Sequence, residues 1–338
     1  MKLLFADLVY DYNSRDFGLG YGYYNTHLAF ANMKELEYIH FDVCDFGDIK
    51  KRESNNRALV DIVEKEKPDM FFYASFDDLL YEETLLHIKN KTKTTSVHWF
   101  CDDQWRFEDF SRRYCWNFDY SVTTDHAAVE KYKAIGYENV ILSQWAANQH
   151  VYKRMGLPFR YDVSFVGQPH GVRRALVADM RKRGLDVATF GNGWKLNWLT
   201  RKWNRAAGKA GLERLKFDSG MIGHCEMLKV FNQSKINLNL ANNSTGVDRQ
   251  MKGRNFEVPA CGGFLLTSYA AGLDEYYEIG KEVEAFHSTD EMIDKAKYYL
   301  AHDAQRQKIA DAGYERTLRD HTWDKRFREI FAKLKLKS

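Results

Sequence analysis

Three groups of residues combine types and spacings that can do chemistry. The first is Asp248, Arg249, Lys252 and Arg254, with Asn255 and Glu257 directly after them. Basic side chains on a loop entering a helix add to the unpaired N–H groups and positive dipole end found there, which suits a diphosphate without a metal. Glu257, about one turn in, is placed to accept hydrogen bonds from vicinal ribose hydroxyls. The same pattern also fits a solvated helix with a basic entry loop. The second group is His98 with the pair Asp102-Asp103, at the end of an apolar run. Parallel α/β sheets place functional groups at such strand ends. Two adjacent carboxylates there can raise one pKa and yield a general base toward a hydroxyl. Asp103 also suits the cap of a helix beginning near Gln104, which leaves Asp102 as the candidate base.

The third group is Gly18-Leu-Gly-Tyr-Gly22, between the first apolar run and a helix. Gly18 and Gly20 there let backbone approach a phosphate closely. With Asp42 about twenty residues on, the loop imitates a nicotinamide-cofactor fingerprint, so an NAD-dependent oxidoreductase is an alternative reading. Against it, Gly18 follows Val9 at too great a distance for a tight strand–helix turn, and Tyr23 stands where the third glycine belongs. Farther on, Arg173 follows a strand end at Gly167 and is another basic residue to aim at a diphosphate. Asn192 and Trp194 are placed to border a nucleobase. Residues 201–216 hold six basic residues and one acid, with Trp194, Trp198 and Trp203 in or just before them. That segment suits a nucleic acid or an anionic membrane surface, or is simply a solvated face.

The elements that must position these groups follow from the alternation of short apolar runs with amphipathic stretches. Strands are expected at Lys2–Val9, Glu37–Val43, Met70–Ala74, Ser96–Cys101, Tyr120–Thr124 and Val140–Trp145, with helices near Tyr23–Lys34, Asn56–Lys65, Leu79–Lys89, Gln104–Tyr114 and His126–Ile135. The alternation pauses at Met155-Gly-Leu-Pro158 and restarts with Asp162–Gly167, a basic helix Val172–Lys182, and strands at Asp186–Phe190, Ile236–Leu240, Gly263–Thr267 and Glu282–Phe286. Thr322–Leu336 reads as a helix with Trp323, Phe327, Ile330 and Phe331 on one stripe. Strand–helix alternation of this kind means parallel, doubly wound sheets in two domains.

Composition removes several classes. The 338 residues, 44% hydrophobic and 29% charged, have the balance of a globular protein long enough for two domains. Leu3–Val9 is interrupted by Asp7 and too short for a signal peptide or membrane span, and no later apolar run approaches that length. The five cysteines never form a Cys-x-x-Cys pair, against a disulfide scaffold or zinc ribbon. A cytoplasmic location is expected, with peripheral attachment to a membrane left open. The net charge of +3 hides an asymmetry: residues 1–150 hold 17 Lys and Arg against 25 Asp and Glu, residues 151–338 hold 33 against 22. The second half is the one suited to an anionic ligand.

Arg254-Asn-Phe-Glu-Val-Pro-Ala-Cys-Gly-Gly-Phe-Leu-Leu-Thr267 resembles the C-terminal signature of GT-B glycosyltransferases, and among them the CgeB-like group. The resemblance extends to Asp162–Gly167, Phe190–Trp194 and His321-Thr-Trp323, and in the first half rests on Trp99–Asp103. It implies an α/β protein of two facing Rossmann-like, doubly wound domains. Residues 1–152 would be the acceptor side, 160–318 the donor side, and 319–338 a helix crossing back to the first domain. The implied activity moves a sugar from a nucleoside-diphosphate donor, a UDP-sugar being expected, to a hydroxyl acceptor. The acceptor, a glycan, lipid-linked group, protein or nucleic acid, stays open. No metal, other cofactor or obligate protein partner is implied. Glu257 matches the second glutamate of the Glu-seven-residues-Glu motif in related retaining transferases, where it holds the ribose. The first falls at Arg249, a departure that leaves the sugar-ring contact and the stereochemical course unassigned. The expected nucleotide-sugar residues are Glu257, Arg254, Lys252, Asn255, Arg249, Arg173, Gly167, Trp194, Gly18 and Gly20, with Asp102 and His98 catalytic.

Overall fold

The computed structural model describes residues 1–75, 77–194, 220, 222–241 and 250–337. It divides into two compact units, Met1–Val151 with His321–Ser338, and Tyr152–Asp320. The first is built on strands β1 (Lys2–Asp7), β2 (Glu37–Asp42), β3 (Met70–Ala74), β4 (Thr95–Phe100), β5 (Tyr120–Thr123) and β6 (Val140–Leu142), in the order β2-β1-β3-β4-β5-β6. The second is built on β7 (Tyr161–Val166), β8 (Val187–Phe190), β9 (Ser234–Asn239), β10 (Leu265–Ser268) and β11 (Glu284–Phe286), in the order β11-β10-β9-β7-β8. Every pairing in both sheets is parallel, so each connection must cross over a face of its sheet, and helices do this. Strand order reverses between β1 and β3 in one unit and between β7 and β9 in the other. These are the points where a doubly wound sheet leaves a crevice at its carboxyl edge.

In the first unit both faces of the sheet are buried, and alternation sorts the side chains. Leu4, Ala6, Phe71, Tyr73 and Phe100 enter one core. Leu3, Phe5, Phe72, Val97 and Trp99 enter the other, with Phe30, Trp323, Phe327 and Ile330. The helix Trp323–Lys333 thus completes the first unit's core. Residues 321–323 also bond to Ala147: its N–H donates to the His321 carbonyl and its carbonyl accepts from Trp323 N–H, both at 3.0 Å.

Two expected helices are less regular than their periodicity predicts. Tyr23–His27 and Phe107–Ser111 are single π-helical stretches inside otherwise α-helical segments. The wider turn lets Phe107, Phe110 and Ser111 all face inward. The helix expected at Asn56 starts earlier, at Ile49, because Asp48 caps it by accepting from Lys50 N–H at 3.0 Å. Apart from the exposed Ile49 its first two turns are polar, so they carry no periodic signal. Among the described residues no helix is long and apolar enough to cross a membrane, and all five cysteines are free.

Candidate active site

At the reversal between β1 and β3 the first unit has a cavity of about 280 Å³, lined by the carboxyl ends of β1, β3 and β4 and by the loop before the π-helical turn. Its walls are aromatic: Tyr21, Phe72, Trp99 and Trp145. The Tyr21 and Trp145 rings meet edge to face at 5.3 Å, and Trp99 lies 6.0 Å from Trp145. Asp7, Asp11 and Asp102 contribute carboxylates to the lining. Asp7 is 3% exposed, its Oδ1 lies 2.7 Å from His40 Nε2, and burial raises its pKa against the lowering effect of that imidazole. The His27 ring lies tilted against His40 with centroids 4.1 Å apart, and burial, then the charge on His40, pushes its own pKa down to about 4. None of Asp7, His40 or Trp145 was singled out from the sequence. The one available signal was a lone Asp closing a buried strand.

Asp102 is at the cavity, half-buried where β4 gives way to a short helix beginning at Asp103. His98 is not. Its place on β4 turns it to the opposite face, fully buried against Phe100 at 4.0 Å and Phe118 at 4.8 Å. Desolvation holds it neutral, so His98 is a packing residue and the catalytic expectation for it is corrected. Asp103 is also buried, accepting a hydrogen bond from the Tyr132 hydroxyl at 3.1 Å. Its pKa rises to about 6 chiefly because of burial, with the like charge of Asp125 adding to it. Desolvation is thus the leading cause of the raised carboxyl pKa here.

That shift makes a stability prediction. Folded Asp103 holds its proton more tightly than the unfolded chain does, so the folded state binds more protons between about pH 4 and pH 6 and stability falls as pH rises through that window. About two pKa units correspond to roughly 3 kcal/mol. Urea midpoints measured across the window should decline in the native protein and stay level in Asp103→Asn.

In the second unit, the helix Arg254–Ala260 follows β9 and carries Glu257, which is fully buried. Glu257 Oε1 accepts from the Tyr152 hydroxyl at 2.6 Å, and Oε2 pairs with Arg254. The Arg254 side chain is 26% exposed and its guanidinium lies over Phe231. Asn255 does not face a ligand. Its Oδ1 accepts from Lys252 N–H at 3.0 Å and from Asn239 Nδ2 at 3.1 Å, and its Nδ2 donates to Thr267 at 3.3 Å, so it locks the entry loop to β9 and β10.

Arg173 lies at the β7–β9 reversal, 5% exposed, and its guanidinium donates to the carbonyls of Gln168 at 2.9 Å and Leu240 at 3.1 Å. Burial lowers its pKa to about 10, which leaves it cationic at neutral pH. It braces the crevice and adds charge from behind rather than reaching out of it. Trp194 is packing, not a base platform: it is 4% exposed, edge-on to Phe165, and donates Nε1–H to the Gly167 carbonyl at 2.7 Å. Gly167 is therefore scaffold, with a Cβ there meeting the Phe165 ring at 3.1 Å. Gly18 ends an exposed turn with φ +77, while Gly20 is buried and donates to the Val9 carbonyl at 2.7 Å. Asp42 Oδ1 accepts from Cys44 N–H at 3.0 Å, a local turn contact. Arg249, Asp248 and the basic segment 201–216 lie outside the described residues.

Residues 173–332 match a family model described as glycosyl transferase-like. The spore protein CgeB of Bacillus subtilis strain 168 is 24% identical over 286 residues, covering 81% of this chain and 84% of that protein. Among solved structures, sucrose-phosphate synthase from Thermosynechococcus elongatus superposes with a TM-score of 0.68 at 12% identity, covering 98% of this chain and all of that one. Anabaena HepE in complex with UDP and glucose gives 0.64 at 11% identity, covering 99% of this chain and 100% of that one. With two parallel Rossmann-like sheets the chain has the GT-B fold of these structures, and its sequence matches support a CgeB-like glycosyltransferase.

Proposed function

We propose that the donor is a nucleoside-diphosphate sugar, a UDP-sugar, held by the second unit, and that transfer to a hydroxyl acceptor needs no metal. The observation that carries this is the cationic set around the β7–β9 crevice: Arg173 buried behind it, Lys252 and Arg254 on the loop and helix that follow β9. Positive charge held there opposes the charge that builds on a departing diphosphate. HepE, solved with UDP-glucose at a TM-score of 0.62, has the same fold and supports the choice of nucleotide. Glu257, one turn beyond Lys252, is the ribose ligand in this reading, and Arg254 must move from it toward the diphosphate as nucleotide enters. Asp102, at the first unit's cavity, hydrogen-bonds the acceptor.

The test is a panel of UDP-, GDP- and ADP-sugars scored for nucleotide release, with and without EDTA, beside calorimetry with UDP. Release from a UDP-sugar that survives EDTA is expected, and Glu257→Ala should weaken UDP binding at least tenfold without altering the circular dichroism spectrum. Unchanged UDP affinity in that variant removes Glu257 from the site, and turnover of GDP-sugars alone overturns the choice of UDP.

A further inference from the structure

Two buried polar atoms at the first unit's cavity have no hydrogen-bond partner among the described residues: Asp7 Oδ2, an acceptor, and Trp99 Nε1, a donor. Asp7 is 3% and Trp99 4% exposed. Buried groups of this kind are normally satisfied, because desolvation without a partner is costly. One orphan acceptor and one orphan donor on a shared wall match a hydroxyl-bearing ligand. The rest of the lining narrows its class. Tyr21, Phe72, Trp99 and Trp145 offer ring faces, three carboxylates are present, and no Lys or Arg is among the described residues that line the cavity. A phosphate or carboxylate would meet three carboxylates and no cationic side chain among the described lining residues. A volume of about 280 Å³ lies at the lower end of small-molecule sites and suits one ring.

The Gly22 backbone packs closely against the acceptor atom. A Cβ at that position would sit 2.5 Å from Asp7 Oδ2, although the local backbone is ordinary right-handed helix. His40 holds the other carboxylate oxygen, the arrangement in which a second group orients a base and shares its proton.

Resting on the transferase reading above, we propose that this cavity binds an uncharged sugar ring as acceptor and that Asp7, oriented by His40, takes the proton of the attacking hydroxyl. The acceptor O–H bond breaks and its proton passes to Asp7 Oδ2. The electron pair left on that oxygen forms the bond to the donor's anomeric carbon. The bond from that carbon to the diphosphate breaks, and its pair leaves with the nucleoside diphosphate. Asp7 rather than Asp102 is the base because its Oδ2 is desolvated while its Oδ1 is held by His40.

The groups facing Asp7 are His40 and Asp42 on β2, His27 and Tyr38 behind them, Tyr10, Asp11 and Tyr12 on the following loop, Tyr21 beyond it, and Cys101 and Asp102 after β4. Burial is the leading influence on Asp7 and acts to raise its pKa. The acid limb of transfer should therefore lie above the ordinary carboxylate range, with activity lost as pH falls through it.

The experiment measures UDP-sugar turnover against methyl glucoside, methyl galactoside and methyl mannoside, and against the corresponding hexose 6-phosphates, from about pH 4 to pH 8. Methyl glycosides should accelerate nucleotide release and quench tryptophan fluorescence, and the 6-phosphates should do neither. Asp7→Asn should lower kcat/KM for the glycoside at least a hundredfold and abolish the acid limb. Gly22→Ala should lower it at least tenfold with the spectrum of a folded protein, and Asp102→Asn should keep the limb. Loss of the limb in Asp102→Asn, full activity in Asp7→Asn, or preference for the 6-phosphates overturns the inference. Absence of UDP binding by calorimetry in the unaltered protein is the separate result that overturns the donor reading.

Discussion

Trp323→Ala should lower the unfolding free energy of the first unit by about 3–5 kcal/mol, the range for deleting a fully buried large aromatic side chain. Trp323 is 0% exposed and meets Trp99 at 5.4 Å and Phe327 at 5.1 Å. Its Nε1–H donates to Asn25 Oδ1 at 3.1 Å, so truncation leaves a cavity and a buried amide oxygen short of that donor. Trp323→Phe separates these contributions. It keeps most of the apolar contact and should lose about 1 kcal/mol for the hydrogen bond. Urea unfolding followed by far-ultraviolet circular dichroism measures both. Near-equal midpoints for Trp323→Ala and the native protein would show that the terminal helix contributes little to this unit. The expected consequence extends to the first unit's cavity, because Trp99 is both a wall of that cavity and a direct neighbour of Trp323.

The second large effect is expected at Arg254. Glu257 is completely buried and its Oε2 pairs with the Arg254 guanidinium, while Oε1 accepts from Tyr152. Removing one member of a buried ion pair leaves the other charge poorly compensated, at a cost of about 3–5 kcal/mol. Arg254→Ala should approach the lower end of that range, since the arginine is itself a quarter exposed. Adding Glu257→Gln should recover most of the loss by removing the buried charge. Nucleotide affinity should not recover in the double variant, because both side chains belong to the proposed donor site. A double-mutant cycle on stability and on UDP affinity therefore separates a merely structural pair from one that also serves the ligand. Additivity in stability would argue against the pairing itself.

The candidate donor residues of the second unit come from a local signal in the sequence. Lys252, Arg254 and Glu257 lie within a few positions on one loop and helix, and the resemblance to GT-B transferases is carried by the same stretch. The individual roles were less legible. Arg173, Asn255 and Trp194 have the right residue types near the right strand ends, yet their polar atoms bond to Gln168, Leu240, Lys252, Thr267 and Gly167. Residue type alone does not distinguish a side chain that touches a ligand from one that holds the loop that does. His98 shows the same limit in a strand. One residue either way would have faced it toward the cavity, since successive side chains in a strand point to opposite faces.

By itself the sequence determined the strands, most helices and the class of sheet, because apolar runs bounded by amphipathic stretches constrain local geometry wherever both faces of a sheet are covered. It also determined that basic residues follow β9. Only the tertiary structure decided that Asp7 is the carboxylate of interest. In sequence Asp7 is one polar residue ending an apolar run, far from His40 and Trp99. Parallel pairing of β1 with β2 sets Phe5 against His40 and Asp7 against Asp42, and the strand reversal between β1 and β3 opens the cavity beside them. The environment of that carboxylate depends on strand order, register and face taken together. None of the three is a property of a short stretch of chain.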